Sequence, residues 1–154
     1  MRLATIRPAQ GSDRIGIARM MSLLWPNAPV EELSEELDSF LRGEVVGTLP
    51  SALLVSCDED GALTGLIEVG LRSHADGCDT ARPVGFVEGW FVHERWRNRG
   101  VGRELMRAAE DWARAQGCHE MASDTWVDHE VSQRAHLALG FEVVDRCVHY
   151  RKQL

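Results

Sequence analysis

Seven residues, Arg97-Asn98-Arg99-Gly100-Val101-Gly102-Arg103, bring three arginines and two glycines together. They follow an apolar run, Val84 to Val92, and open a stretch with helical periodicity. The first N–H groups of a helix have no partner inside it and carry the positive end of its dipole. Glycine lets a ligand reach the backbone with no Cβ in the way. A diphosphate fits such a cradle, and arginine adds paired donors. The pattern has no G-K-S/T, so it is not a Walker A loop, and it lacks the G-x-G-x-x-G of a dinucleotide fold. No carboxylate interrupts it between Arg95 and Arg103. A second chemical group lies just upstream. Glu88 breaks the apolar run between Val87 and Gly89, and a lone buried carboxylate is costly enough to want a reason.

These groups need a strand before the turn and a helix after it. The pattern predicts a strand over 84–92, apolar enough to be covered on both faces. The helix is expected over 101–116, with Leu105, Ala108, Ala109, Trp112 and Ala113 inward and Gly117 at its end. Upstream, a first strand over 3–7 stops at Pro8. A helix over 14–24, capped by Ser12 or Asp13, carries Ile17, Met20, Met21 and Leu24 at helical spacing. Trp25-Pro26-Asn27-Ala28-Pro29 cannot continue it. An acidic helix over 30–42 turns Leu33, Leu37, Phe40 and Leu41 inward, with Gly43 beyond. Strands over 51–57 and 63–72 flank an Asp58-to-Gly61 hairpin, and 73–83 is a polar loop. Downstream come a strand over 120–125, a helix over 130–139 closed by Gly140, and two short strands within 141–151. The expected fold is α/β: a mixed central sheet of about seven strands, with about four helices on both faces.

At 154 residues the chain is expected to form one domain, 1–154. A net charge of −7 disfavours a nucleic-acid surface and mildly favours a cationic partner, although solubility alone explains such a charge. Cys57, Cys78, Cys118 and Cys147 form no C-x-x-C pair and read as reduced thiols of a cytoplasmic protein. His93-Glu94 and His119-Glu120 lack the second histidine of H-E-x-x-H, so no metal is expected. The first residues hold no long apolar run, so neither a signal peptide nor a membrane span is expected.

The Arg97-x-x-Gly100-x-Gly102 pattern after its strand resembles the acetyl-CoA-binding motif of the GCN5-related N-acetyltransferases. Leu24-Trp25-Pro26, Asp76-Gly77-Cys78-Asp79, Phe86-Val87-Glu88-Gly89, Glu120 to Thr125, Leu139-Gly140-Phe141-Glu142 and Tyr150-Arg151-Lys152 are similar, in order, to segments of aminoglycoside 6'-N-acetyltransferases. The resemblance implies that Trp90, Phe91 and Val92 pair with the pantetheine arm of acetyl-CoA. It places the diphosphate on Arg97, Asn98, Arg99, Gly100, Val101, Gly102 and Arg103, and adds His129 and Ser132 to the cofactor contacts. A direct attack of an amine on the thioester is implied, with a base or a water path to take the amine's proton.

Glu88 and Asp124 are the acidic candidates for that chemistry, at adjacent strand ends. In the resembling enzymes the matching acids hold the drug's ammonium groups. Asp145 matches a third such acid, and Trp25 a ring that packs on the sugar. His136 stands where many members of the wider family carry a tyrosine that protonates the leaving thiolate. There are departures: His129 replaces an asparagine, Ala28 stands where a histidine would, and the 73–83 loop is a residue shorter and lacks an aromatic. The resemblance further implies a homodimer and aminoglycoside resistance. Two other readings stay open. One is acetylation of another amine (a polyamine, an amino sugar or a protein N-terminus). The other is a silent acyl-CoA-binding module, which would not need Glu88 and Asp124.

Overall fold

The computed structural model describes residues 4–45 and 47–154. Leu3, expected to begin the first strand, lies outside them. The elements run β1 (Thr5–Pro8), α1 (Arg14–Leu24), α2 (Val30–Leu41), β2 (Ser51–Cys57), β3 (Leu63–Arg72), β4 (Val84–Val92), α3 (Val101–Ala115), β5 (Met121–Ser123) and α4 (Glu130–Ala138). One five-stranded sheet takes the strands in chain order. Its neighbours are antiparallel except β4 and β5, which are parallel and joined through α3.

Strand alternation sends adjacent residues to opposite faces. Leu53, Val55 and Leu66 therefore meet Ile17, Met20 and Met21 of α1 and Leu37 of α2. Leu54, Ile67, Val69 and Val87 meet Val101, Leu105, Met106 and Ala109 of α3. The α1–α2 pair is tied by Arg14, whose Nε donates to Asp38 Oδ1 at 2.7 Å and whose terminal nitrogen donates to Ser34 Oγ at 2.8 Å.

Two expectations need correction. The sheet has five strands, not about seven, because residues 141–154 form none. A strand needs a neighbour's row of N–H and C=O groups, and β5 offers an edge only three residues long. Val143, Val144 and Val148 remain exposed, and Val144 sits over the Gly77 turn instead. Asp13 does not cap α1 with its side chain. Its carboxylate takes the Gln10 N–H at 2.8 Å and a bidentate Arg7 at 2.6 and 2.9 Å, closing the turn before the helix.

Two features of β4 shape the cleft beside it. Against β3 its register slips by one: Glu68 faces Gly89 and Val69 faces Val87, so Glu88 is an extra, bulged residue. Against β5 its pairing ends at Val87, opposite Ser123. The β3–β4 contact is close at Gly65, where a Cβ would lie 2.6 Å from the Phe91 carbonyl oxygen and 3.1 Å from Leu105. Gly65→Ala should therefore lower the unfolding free energy by about 1–3 kcal/mol in denaturant titration. Parental stability would mean the two strands are not packed so tightly.

Candidate active site

From Glu88 to Val92, β4 continues with no strand on its β5 side among the described residues. Its backbone edge there is open for an extended ligand, and it includes Trp90, Phe91 and Val92. The strand runs into a basic turn that ends on α3. Asn98 holds φ 58° and Gly100 φ 85°. The latter conformation is easy only for glycine, and a Cβ on Gly100 would meet nothing within 4 Å. The backbone at Gly100, just before α3, thus borders open space. Arg97 is partly engaged within the chain, its Nε donating to the Val92 carbonyl at 3.0 Å. Arg99 lies 5.6 Å from the centre of the Trp96 ring. These features fit a chain that binds an extended thioester arm along β4 and a diphosphate at the turn.

Gly102 has a different reason to be glycine. Its missing Cβ would sit 3.0 Å from the Trp90 ring, so the absence of a side chain lets α3 close on β4. Trp90 is also edge-on to His136, with ring centres 5.4 Å apart. His136 has both ring nitrogens engaged: Nδ1 lies 2.8 Å from the Ser132 carbonyl and Nε2 2.8 Å from Ser123 Oγ. A carbonyl only accepts, so Nδ1 carries the hydrogen and Nε2 takes the Ser123 hydroxyl hydrogen. His136 therefore links α4 to the end of β5 and is not a free acid facing the cleft. Ser132 lies in this link through its carbonyl. His129 is the exposed residue preceding α4, and its backbone N–H donates to the Trp126 carbonyl at 2.9 Å.

Glu88 falls on the α2 side of β4. Glu88 is not the lone carboxylate its sequence suggests. Arg72 grips both its oxygens, at 2.9 and 2.8 Å, while stacking 3.4 Å over the Phe86 ring. Glu88, chiefly, holds the Arg72 guanidinium firmly charged, and Asp124 adds to this through space. Asp124 lies one residue past β5, exposed, and accepts no hydrogen bond among the described residues. It is thus a loop carboxylate free to meet a ligand, close enough to Arg72 to be felt there. Trp25 stands over Gly89, where a Cβ would come within 2.6 Å of its ring. It packs on the core, over the residue that follows Glu88. Asp145 is not seen with the other acids: it is exposed on the C-terminal segment and takes the Arg146 N–H at 2.6 Å.

A group that the sequence pattern did not single out lies beside Glu88. Glu68 of β3 is 5% exposed, and with Glu36 of α2 and Glu88 it lines a cavity of about 280 Å3 bordered by residues 47–51. Burial first, then the nearby Glu36 charge, their hydrogen bond and finally Glu88 push the Glu68 carboxyl up to about 8. A signal exists in the sequence, since Glu68 interrupts an apolar strand just as Glu88 does. Arg72 could be paired with Glu88 only from the strand register.

This combination of sheet, open strand edge and basic glycine turn matches the acetyltransferase (GNAT) family over residues 17–141, and the chain belongs to that family. It is 39% identical over 149 residues to "Aminoglycoside N(6')-acetyltransferase type 1" of Klebsiella aerogenes, covering 97% of this chain and 96% of the relative. It resembles the structure of AAC(6')-Iy in complex with the bisubstrate analogue CoA-S-monomethyl-acetylneamine: TM-score 0.86, 31% identity, 99% and 100% of the two chains. It also resembles the aminoglycoside 6'-N-acetyltransferase AAC(6')-Ih from Acinetobacter baumannii, with TM-score 0.85, 26% identity and 99% of each chain.

Glu68 makes stability depend on pH. Its folded state holds a proton that the unfolded state releases at its ordinary value of 4.5. Stability is therefore lost as pH rises from there through about 8. Glu68→Gln removes that slope. The variant's melting temperature should match the parent near pH 4.5 and exceed it at pH 8.5; parallel profiles would show that Glu68 ionises normally.

Proposed function

We propose that the protein transfers the acetyl group of acetyl-CoA to the 6'-amine of an aminoglycoside. The observation that carries this reading is the division of labour along β4. Its open half, Trp90 to Val92, leads into the anion cradle, while Glu88 at the bulge faces the acidic cavity. One strand thus borders both a thioester donor and a cationic acceptor. The near-full-length relatives support the same pair of substrates.

Acetyl-CoA supplies the thioester. Trp90, Phe91 and Val92 align its arm through the backbone, and residues 97–103 hold its diphosphate by N–H groups and arginines. A carbon–nitrogen bond forms as the carbon–sulfur bond breaks. The amine loses a proton and the thiolate gains one. Asp124, uncommitted and exposed, receives the acceptor's ammonium or its released proton. Glu88, already paired, orients the acceptor together with Arg72, and Trp25 offers a flat apolar face to a sugar ring. The leaving thiolate takes its proton from water, and His136, whose Nε2 accepts from Ser123, holds Trp90 and the end of β5 in place beside it. His129 and Ser132, at the start of α4, border the donor site. The chain functions as a single cytoplasmic domain in a homodimer and confers aminoglycoside resistance. The exposed segment carrying Val148, Tyr150 and Asp145 is the surface a partner would cover.

Free-thiol release with acetyl-CoA and kanamycin-type, gentamicin-type or polyamine acceptors tests this. Release is expected with at least one aminoglycoside; release with polyamines alone would move the acceptor to another amine, and none at all would leave a silent binder. Asp124→Asn should lower kcat/KM for the aminoglycoside by about 10- to 100-fold while acetyl-CoA affinity stays near the parent's. Equal loss of both would remove Asp124 from its role. Gly102→Val should do the reverse: it pushes into Trp90 and should weaken acetyl-CoA first. Unchanged acetyl-CoA affinity would show that the α3–β4 contact does not shape the donor site.

A further inference from the structure

Four polar or charged residues are buried among those described: Asp13, Ser56, Thr64 and Glu68. Asp13 has Arg7, and Ser56 and Thr64 have each other at 2.6 Å. Among the described residues Glu68 alone has no N–H donor and no cation. Its neighbours are Glu36 from α2 and Glu88 from β4. Arg72, the one guanidinium at hand, is committed to both oxygens of Glu88. A second unsatisfied group lies on the same cavity wall, for Ser51 Oγ is buried with no hydrogen-bond partner. The cavity is thus lined by three carboxyl groups, the guanidinium beside it is spent on Glu88, and the buried Ser51 hydroxyl lacks a partner.

We propose that this cavity is a docking site for a second alkylammonium group of the acceptor, with Glu68 as its counter-ion. The proposal rests on the acceptor being a polyamine such as an aminoglycoside. The reacting amine lies towards β4 and Asp124, and a distal ammonium enters between Glu36 and Glu68. There it finds acceptors on the carboxyls and on Ser51 Oγ, the array an –NH3+ group requires. The cavity's volume, about 280 Å3, lies at the lower end of ligand pockets and fits part of a polyamine, not all of it. In the free protein Glu68 keeps its proton and shares it with Glu36. A bound ammonium replaces that proton, which leaves to solvent, and Glu68 becomes the carboxylate that a cation prefers.

The test follows the Glu68 carboxyl carbon by NMR in protein labelled with 13C at glutamate Cδ, assigned with Glu68→Gln. The free protein should show a midpoint near 8 at this carbon. Saturating kanamycin or spermidine at pH 7, without acetyl-CoA, should move the signal to its ionised position. In turnover, Glu68→Gln should raise the aminoglycoside KM by about tenfold or more, with kcat and the acetyl-CoA KM within about twofold of the parent. If kanamycin is acetylated but the Glu68 signal does not move and the variant's KM is parental, the docking site is overturned while the acetylation reading stands. If no aminoglycoside is acetylated but both amines move the signal, the reaction reading falls and the ammonium site stands. A signal unmoved by either amine overturns the site whatever the enzyme acetylates.

Discussion

The separation of β4 from β5 after Val87 is the constraint on which the rest of the molecule depends. Up to that point β4 is an ordinary interior strand, paired on both sides. Beyond it, one side of β4 has no strand partner among the described residues. An open row of N–H and C=O groups is ordinarily a liability at a sheet edge. Here it lies within the sheet, beside the helix that comes next in the chain. The bulge at Glu88 marks the transition. An extra residue twists the strand and turns a side chain out of its expected alternation. The same irregularity therefore opens the backbone downstream and aims a carboxylate at the α2 side.

Charge on that side is arranged unevenly. Arg72 and Glu88 form a bidentate pair stacked on Phe86, a geometry that fixes both side chains. Glu68, behind them, is left with acids as neighbours. An ordinary apolar residue at position 68 would pack against Leu53 and the α2 face at no electrostatic cost. The carboxyl instead remains neutral through burial, which weakens the fold as pH rises. A site that needs a cation can bear such a group, because the cation's arrival removes the penalty. This separates Glu68 from Glu88. Arg72 already satisfies Glu88, so Glu88 has less to gain from a ligand.

The elements were largely legible. The helix over 14–24 and the strands over 51–57, 63–72 and 84–92 stand where periodicity puts them, because each buries a regular stripe or an alternating face in its own chain. The two strands expected within 141–151 do not form, because alternating valines specify a face but not a neighbour, and the short β5 provides none. At the site, the glycine turn was readable as a local motif. The Glu88–Arg72 pair and the Glu36–Glu68 cluster were not, since α2, β3 and β4 bring them together from distant positions. Glu68 was visible as a flaw in an apolar strand, but its meaning depends on what surrounds it. His136 shows the opposite limit: a residue whose type suggests proton transfer proves to be held by Ser132 and Ser123.

The two glycines of the turn answer different physical demands, although they read as one motif. Gly100 is required by its backbone, at φ 85° with open space around it. Gly102 is required by Trp90, whose ring fills the place of its side chain. That ring touches His136, and His136 reaches Ser123 at the end of β5. A continuous set of contacts therefore runs from the glycine turn to the strand end beside Asp124. The packing of Trp90 thus ties the glycine turn to the end of β5. The glycine turn can recur wherever an acetyl donor is bound. Around it this chain adds the acids of α2, β3, β4 and the residue after β5, and the seating of Gly102 on Trp90 ties the turn to the end of β5 next to them.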